Sequence, residues 1–247
     1  MPSQKIIRGV LELTSDIAPD RVRALDVSCK RGDVVRELKR RGFDVRGTNF
    51  ERGAASIDGV PVDDGIDLTR GLPYPDASFD LVLLTEVIEH LENHRAAICE
   101  LARVLKPGGT LIVTTPNIMR LDSRLAFLLS GLHKAKRRLM PLDTPLESAH
   151  RFHNYPIAFP LLYYLLRVNG LTVERLGHSE VKPIAYVLFT LLSPVVAANT
   201  AFRLMFRERR NPSVALNREL RRWMLNRRVL MEDTLLVRAK KTTATAH

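Results

Sequence analysis

Three histidines lie in two short segments that also carry acidic residues. His90 belongs to EVIEHL, residues 86–91, and His150 and His153 belong to ESAHRFHNY, residues 147–155. A histidine can take a proton near neutral pH, as a reaction at a hydroxyl group requires of a general base. His90 and His150 are therefore candidate catalytic residues, with His150 preferred and His153 as a further candidate. Both also have structural alternatives, because His90 can cap the turn that follows a strand and His150 can bind backbone groups in its loop.

A polar loop with a single glycine follows a short apolar run near the N-terminus. The run VRALDV, residues 22–27, continues into Ser28-Cys29-Lys30-Arg31-Gly32. In open α/β sheets the ligand lies beyond the carboxyl ends of the strands, where the next helix offers free N–H groups. This loop is therefore a candidate ligand-binding site.

The segments that must position these residues alternate between strand and helix patterns. Apolar runs predict strands at 22–27, 43–48, 79–85, 110–115, 171–176 and 234–241. Helical spacing of apolar residues occurs at 32–41, 92–105, 121–132 and 156–168. Lys106-Pro107-Gly108-Gly109 is expected to end the second of these helices, because proline cannot continue it. This alternation predicts a parallel sheet covered by helices in one domain.

The overall charge indicates an anionic partner. The 247 residues carry a formal net charge of +11, and the stretch from Arg203 to Arg228 has nine arginines against two acids. A second basic cluster consists of Lys134, Lys136, Arg137 and Arg138. The N-terminus has no apolar segment of signal-peptide length, and two cysteines cannot form a disulfide framework, so we expect a cytoplasmic protein. The acids, histidines and cysteines lack a compact ligand spacing, so no metal site is expected.

Two long segments resemble the motifs of class I S-adenosylmethionine (SAM)-dependent methyltransferases. ALDVSCKRGDVVRELKRRGFDV, residues 24–45, is similar to the first motif, usually LDxGxGxG, with two of the three glycines replaced by Ser28 and Lys30. LPYPDASFDLVLLTEVIEHLENHRAAICELARVLKPGGTLIVTTPN, residues 72–117, resembles the later motifs. The resemblance implies SAM as cofactor and a Rossmann-like α/β fold, with a seven-stranded, mostly parallel sheet and helices on both faces.

The resemblance also implies roles for residues near the ends of the strands. In the first loop the expected cofactor-binding residues are Asp26, Val27, Ser28, Cys29 and Gly32. Asn49, where the family usually has an acid, would meet the ribose, and Phe50 follows it. Asp67 and Leu68 would frame the adenine, and Thr85 and Glu86 would line the methionine end. Thr115-Pro116-Asn117 is expected to lie between cofactor and acceptor, and related enzymes often carry an acceptor-facing histidine in the loop matched by His150.

A hydrophobic and basic segment interrupts the predicted sheet before its last strand. We interpret residues 1–176 as the core, 177–233 as an excursion, 234–241 as the last strand and 242–247 as a disordered tail. IAYVLFTLLSPVVAANTAF, residues 184–202, has no charge and could just span a bilayer. Pro194 and the need for 234–241 to return to the sheet argue against a span. We therefore favour an in-plane or re-entrant membrane contact, with a lid over the acceptor or a buried helical hairpin as alternatives.

These features predict a SAM-dependent methyltransferase. The expected reaction is O-methylation of a glycan, a lipid-linked sugar or a quinone-like lipid at the cytoplasmic face of the membrane. Methyltransferases that resemble this chain are often implied in the modification of cell-surface polysaccharides. One alternative is a non-catalytic binding module, in which Ser28, Lys30 and Asn49 record loss of the cofactor site. Another is an RNA methyltransferase, suggested by the basic charge. The arginines adjoin the apolar segment, which favours a membrane over nucleic acid as partner.

Overall fold

The computed structural model describes residues 2–51, 53, 56–134, 143–145, 148, 152–208 and 214–243. One eight-stranded sheet runs through this part of the chain. Its strands are β1 (Arg23–Val27), β2 (Asp44–Asn49), β3 (Ser56–Ile57), β4 (Val60–Asp64), β5 (Phe79–Thr85), β6 (Leu105–Pro116), β7 (Leu171–Leu176) and β8 (Thr234–Lys241).

The strand order is β3-β4-β2-β1-β5-β6-β8-β7. Strands β4, β2, β1, β5 and β6 are parallel, whereas β8 runs antiparallel to both of its neighbours. The predicted Rossmann-like, mostly parallel sheet is therefore confirmed. The eighth strand is the two-residue β3, which forms a small antiparallel hairpin with β4.

Helices cover both faces of the sheet. They are α1 (Gln4–Leu13), α2 (Asp33–Arg40), α3 (His94–Val104), α4 (Leu121–Ser130), α5 (Phe159–Val168), α6 (Pro183–Glu208), α7 (Val214–Met224) and α8 (Arg227–Met231). The apolar sides of α1 and α2 form one core with the sheet, and those of α3 and α5 form the other. Burial on both faces explains why the central strands are apolar runs rather than alternating patterns.

Strand β6 begins earlier than the sequence pattern predicts. The expected strand was 110–115, with 106–109 as a stop, but β6 already pairs at Leu105. The pairing register shifts between Phe79 and Leu81, and Gly108 takes a φ of 76° there. Proline and glycine therefore make an irregularity within the strand rather than a turn before it.

The predicted helical excursion between the last two strands is confirmed, and it consists of α6, α7 and α8. Helix α6 continues through Pro194 as one 26-residue helix, which excludes a buried helical hairpin over its apolar part. Of the predicted tail, Thr242 donates its backbone N–H to Gly170, and residues 244–247 lie outside the described residues.

Candidate active site

The loop between β1 and α2 has a backbone path that normally requires glycine. Ser28 and Lys30 adopt φ values of 60° and 54°, and Gly32, at the N-terminus of α2, adopts 75°. For a residue with a Cβ atom, this left-handed conformation costs roughly 1–2 kcal/mol. Ser28 and Lys30 thus take glycine-like conformations at the two positions where the motif usually has glycine.

Hydrogen bonds from β2 hold the loop in this shape. Thr48 accepts from the backbone N–H of Ser28 through Oγ1 (3.2 Å) and from that of Cys29 through its carbonyl (2.8 Å). Asn49 Oδ1 accepts from the backbone N–H of Lys30 at 2.7 Å. Gly47 permits this approach, because a Cβ there would lie 2.7 Å from Cys29 Sγ.

The contacts of Asn49 modify the role expected for it. Its side-chain oxygen is bound to the loop, so within this structure the amide nitrogen is the part of Asn49 left to meet a ligand. An amide N–H donates a hydrogen bond, whereas the acid usual in the family accepts one. A ribose hydroxyl would therefore act as acceptor here.

A narrow cleft beside the loop has a chemistry that fits the amino-acid end of SAM. Asp26 and Thr85 line it from the ends of β1 and β5, with Ser28 and Lys30 from the loop. Asp26 is buried, which raises the pKa of its carboxyl to about 7. The buried Thr85 Oγ1 has no hydrogen-bond partner among the described residues. A ligand ammonium would compensate the buried carboxylate, and Lys30 supplies a positive charge for a ligand carboxylate.

Of four further residues expected at the cofactor, one is exposed and three are buried. Phe50 is half-exposed at the end of β2 and can stack on a planar ring. Val27 and Leu68 are in the core, so only their backbone can meet a ligand. Cys29 is also buried, which raises the pKa of its thiol to about 12 and keeps it neutral.

Asp67 is engaged in its own turn. Its Oδ1 accepts from the backbone N–H and the hydroxyl of Thr69, and its Oδ2 lies 3.3 Å from Arg70 Nε. The Asp67 side chain remains partly exposed. Carboxylate oxygens accept more than one hydrogen bond, so this turn is compatible with the expected role.

Glu86 begins the segment after β5 in a strained conformation. Its φ is 53°, and its backbone N–H donates to Oγ1 of Thr114 at 3.0 Å. The Thr114 hydroxyl in turn donates to Glu86 Oε1 at 3.1 Å. These contacts fix Glu86 against β6, next to the strand end that carries Thr85.

The buried Glu89 and the partly buried His90 and His153 form a cluster between this segment and the loop before α5. Glu89 Oε2 accepts from the Thr115 hydroxyl at 3.2 Å, and its Oε1 lies 3.9 Å from His153 Nε2. The rings of His90 and His153 meet edge to face, with centroids 4.7 Å apart. Burial, followed by the nearby charge of Glu86, raises the pKa of Glu89 to about 8.

The hydrogen bond of His90 determines its tautomer. Its Nδ1 lies 2.9 Å from the carbonyl oxygen of Phe152, which can only accept. In the neutral ring the proton is therefore on Nδ1, and Nε2 is an acceptor. This bond joins the turn after β5 to the loop containing His153. A second bond, between His94 Nε2 and the carbonyl oxygen of Tyr155 at 3.1 Å, holds the same loop.

The structure thus brings together only part of the histidine set predicted from the sequence. His90 and His153 meet, whereas His150 lies outside the described residues. Glu89 was not a candidate in the sequence, although its place in EVIEHL, beside His90, could have marked it. One donor atom from each of Glu89, His90 and His153 lies within 4.8 Å of the others, a spacing that a metal ion could use. Ligand spacing in the sequence did not reveal this cluster, because His153 comes from a distant loop.

Asn117 does not face a ligand as expected. Its side-chain Nδ2 donates to the carbonyls of Val229 and Glu232, each at 2.9 Å, and its backbone N–H donates to Asp233. Asn117 therefore anchors the end of the excursion to β6. Of the other residues expected to form this floor, Thr115 holds Glu89.

Comparison with known proteins finds methyltransferases. Residues 25–113 match the family described as a methyltransferase domain. A SAM-dependent methyltransferase from Archaeoglobus fulgidus has a similar structure, with a TM-score of 0.57, 18% identity and coverage of 97% of this chain and 95% of that one.

Curated relatives match mainly over the same region. This chain is 30% identical over 146 residues to a ubiquinone biosynthesis O-methyltransferase from Sinorhizobium fredii, covering 52% of this chain and 59% of the relative. It is 49% identical over 47 residues to a demethylmenaquinone methyltransferase from Tropheryma whipplei, or 19% and 20% of the two chains. The chain thus spans little more than half the length of the first relative. The matched segment thus resembles a methyltransferase domain, and the fold is that of SAM-dependent methyltransferases.

Proposed function

We propose that this chain is a SAM-dependent methyltransferase that methylates a hydroxyl group of a small, lipid-associated acceptor. The observation that carries the proposal is the Glu89–His90–His153 cluster, which lies beside the β5 segment that also lines the cofactor cleft. A hydroxyl acceptor needs a base to remove its proton, and this cluster is a candidate for that task.

The cofactor-facing residues would bind and orient. SAM, when bound, supplies a methyl group already activated by its sulfonium. Asp26 would bind the ammonium end, Lys30 the carboxylate, Asn49 a ribose hydroxyl through its amide nitrogen, and Asp67 the adenine amine. Alignment of the reacting groups then supplies much of the rate enhancement.

His153 is the preferred base within the described cluster. Its Nε2 lies 3.9 Å from Glu89 Oε1. Because the pKa of Glu89 is raised to about 8, Glu89 would stabilise the imidazolium formed when His153 takes a proton only once the pH is high enough to ionise this carboxyl. His90 packs against the His153 ring and, with Nδ1 bound to Phe152, orients it. His150 remains a candidate in the same loop.

Two acceptor classes are consistent with the proposal. The named relatives act in ubiquinone biosynthesis and on demethylmenaquinone, which supports a quinone-like lipid. A glycan or lipid-linked sugar is the other class, because its hydroxyls also need a base. We further propose action at the cytoplasmic face of a membrane, supported by the exposed apolar helix α6, which is long and apolar enough to cross a bilayer by length and composition.

The left-handed conformations of Ser28 and Lys30 argue against a binding module that has lost its cofactor site. A loop released from binding SAM has no reason to retain strain at two positions. An RNA substrate is less well supported, since arginines such as Arg203 and Arg227 adjoin the apolar helix.

The test is transfer of a labelled methyl group from SAM to membrane extracts, with the product identified by mass spectrometry. The proposal predicts a methyl ether on a lipid-soluble product and a loss of about 10²–10⁴-fold in kcat for His153→Ala, with partial recovery at high pH. His94→Gln is the matched control, because His94 also binds the same loop but lies outside the cluster. A product methylated at carbon or nitrogen, or equal losses in both variants, would refute the proposal.

A further inference from the structure

Helix α6 is apolar on two sides. Its inner side, with Leu188, Phe189 and Leu192, packs against a small core that includes Leu121 and Leu230. Its outer side is equally apolar but open to solvent, with Leu191 66% and Val195 65% exposed. Contact of this outer apolar side with water is energetically unfavourable. The helix does not need that side for packing, because its inner side already anchors it to the domain.

Helix α4 adds a second exposed apolar surface next to α6. Its first turn is buried beside α6, but Leu128 and Leu129 in its last turn are 79% and 78% exposed. Among the residues the structure describes, eleven of the fifteen exposed large hydrophobic side chains lie on α6, on α4 or just after α4. We call the exposed residues Leu125–Leu132 and Ile184–Val195 the apolar face.

Basic side chains border the apolar face. Lys182 precedes α6 and Lys134 follows α4, and both side chains are about half exposed. Arg203 is exposed at the other end of the uncharged part of α6, and the Arg227 guanidinium lies 5.6 Å from the centre of the Phe189 ring. An apolar surface bordered by lysine and arginine matches the boundary between acyl chains and anionic headgroups.

The connections of α6 to the sheet determine how it can meet a bilayer. Val181, just before α6, pairs with Glu232, just before β8, and β8 lies antiparallel between β6 and β7. Both ends of the excursion therefore return to the same edge of the domain. If α6 crossed a bilayer, its inner face would lose its contacts with Leu121 and Leu230. If α6 lay in the membrane plane, these contacts would remain intact.

We propose that the apolar face docks on an anionic lipid leaflet, with α6 in the membrane plane and the end of α4 inserted beside it. This inference deepens the membrane part of the proposed function, because it names the surface and the lipid chemistry. A second copy of the chain is a poorer occupant. Two chains of formal charge +11 would have to bring like-charged borders together.

The test is co-sedimentation of the purified full-length chain with phosphatidylcholine vesicles, with and without phosphatidylglycerol. The wild type is expected to bind the anionic vesicles and to lose binding as salt rises from about 0.1 M to about 1 M, where the Debye length falls from about 10 Å to about 3 Å. The double variants Leu128→Glu/Leu129→Glu and Leu191→Glu/Val195→Glu should each weaken binding by at least about tenfold.

The matched control is Leu161→Glu/Val168→Glu, which makes the same change at exposed apolar residues of α5, outside the apolar face. It should bind vesicles like the wild type, and SAM binding by each variant should show that the domain is intact. Asp26→Ala should retain vesicle binding, so failure of the cofactor site and failure of membrane docking are separable. The inference is wrong if the wild type does not bind anionic vesicles, or if the control variant loses as much vesicle binding as the apolar-face variants. It is also wrong if the only effect of the apolar-face variants is to convert a dimer into monomers.

Discussion

At the scale of single residues, the loop after β1 shows how tertiary contacts override residue preference. Ser28 and Lys30 replace two glycines, and from the sequence they suggest a crowded or lost cofactor site. In the structure both take left-handed conformations, because Thr48 and Asn49 bind the loop amides. The backbone of the motif therefore persists without its glycines, which residue identity alone could not predict.

Lys30→Gly tests whether this loop stores strain. Glycine adopts a φ of 54° without cost, so the variant should gain about 1 kcal/mol in free energy of unfolding, less any entropy that glycine adds to the unfolded chain. Urea denaturation measures the change. Lys30→Ala is the matched control, because it removes the charge but keeps the strain, and it should match the wild type. Equal stability of the glycine and alanine variants would show that the loop stores no strain.

The buried carboxyl of Asp26 makes stability depend on pH. Its pKa is about 7 in the folded chain against 3.8 for the free side chain, because burial disfavours the charged form. The folded chain thus holds this proton more tightly than the unfolded chain. The stabilisation is full below about pH 3.8 and is lost as the pH rises through 7. Glu89, with a pKa of about 8, acts in the same direction.

Asp26→Asn should remove the Asp26 part of this dependence. The free energy of unfolding of the variant, minus that of the wild type, should grow between about pH 4 and pH 7 by more than about 1 kcal/mol and then stay level. Chemical denaturation at a series of pH values measures this difference. Asp16→Asn serves as control, because the hydrogen bond from Arg238 lowers the pKa of Asp16, and it should show no such rise. A constant difference across the range would contradict a raised pKa at Asp26.

At the scale of elements, the candidate base cluster depends on a loop that the sequence does not place. His90 follows a clearly patterned strand, so its position at the carboxyl end of β5 could be predicted. His153 is 63 residues further along, and it reaches His90 only because Phe152 and Tyr155 offer carbonyls to His90 and His94. Such pairings depend on loop packing, for which local sequence carries no periodic signal.

An ion network that is buried at Arg120, Asp122 and Asp233 joins α4 to the excursion. Arg120, just before α4, pairs with Asp122 at 3.0 Å and with Asp233, and Lys182 pairs with Asp233 at 3.2 Å. The Arg120 side chain is almost fully buried. Removing one partner of a buried pair leaves the other without compensation, so this arginine should matter to stability.

Arg120→Ala should therefore lower the free energy of unfolding by about 3 kcal/mol. Thermal and urea denaturation measure the loss. Lys5→Ala breaks an exposed pair with Glu180 and should stay within about 1 kcal/mol of the wild type. If both variants lose the same small amount, the network does not hold α4 and the excursion together.

At the scale of the whole molecule, the regular part of the fold could be predicted and the irregular part could not. Long apolar runs such as 79–85 marked the central strands, and Asn169-Gly170 marked the end of the helix before β7. Helix α1 and the hairpin of β3 and β4 escaped prediction, since they depend on packing against α2 and β2. The two-sided apolar character of α6 was visible as composition, but its inner and outer faces became distinct only in the structure.

The most direct measurement for the central claim is SAM binding to the purified chain by isothermal titration calorimetry, with Asp26→Ala and Lys30→Gly beside the wild type. Our account predicts micromolar binding by the wild type, loss of binding in Asp26→Ala and weaker but still detectable binding in Lys30→Gly, which lacks the cation for the SAM carboxylate. Absence of binding by the wild type, with recovery in Lys30→Gly, would contradict it and identify the chain as a methyltransferase fold that has lost its cofactor.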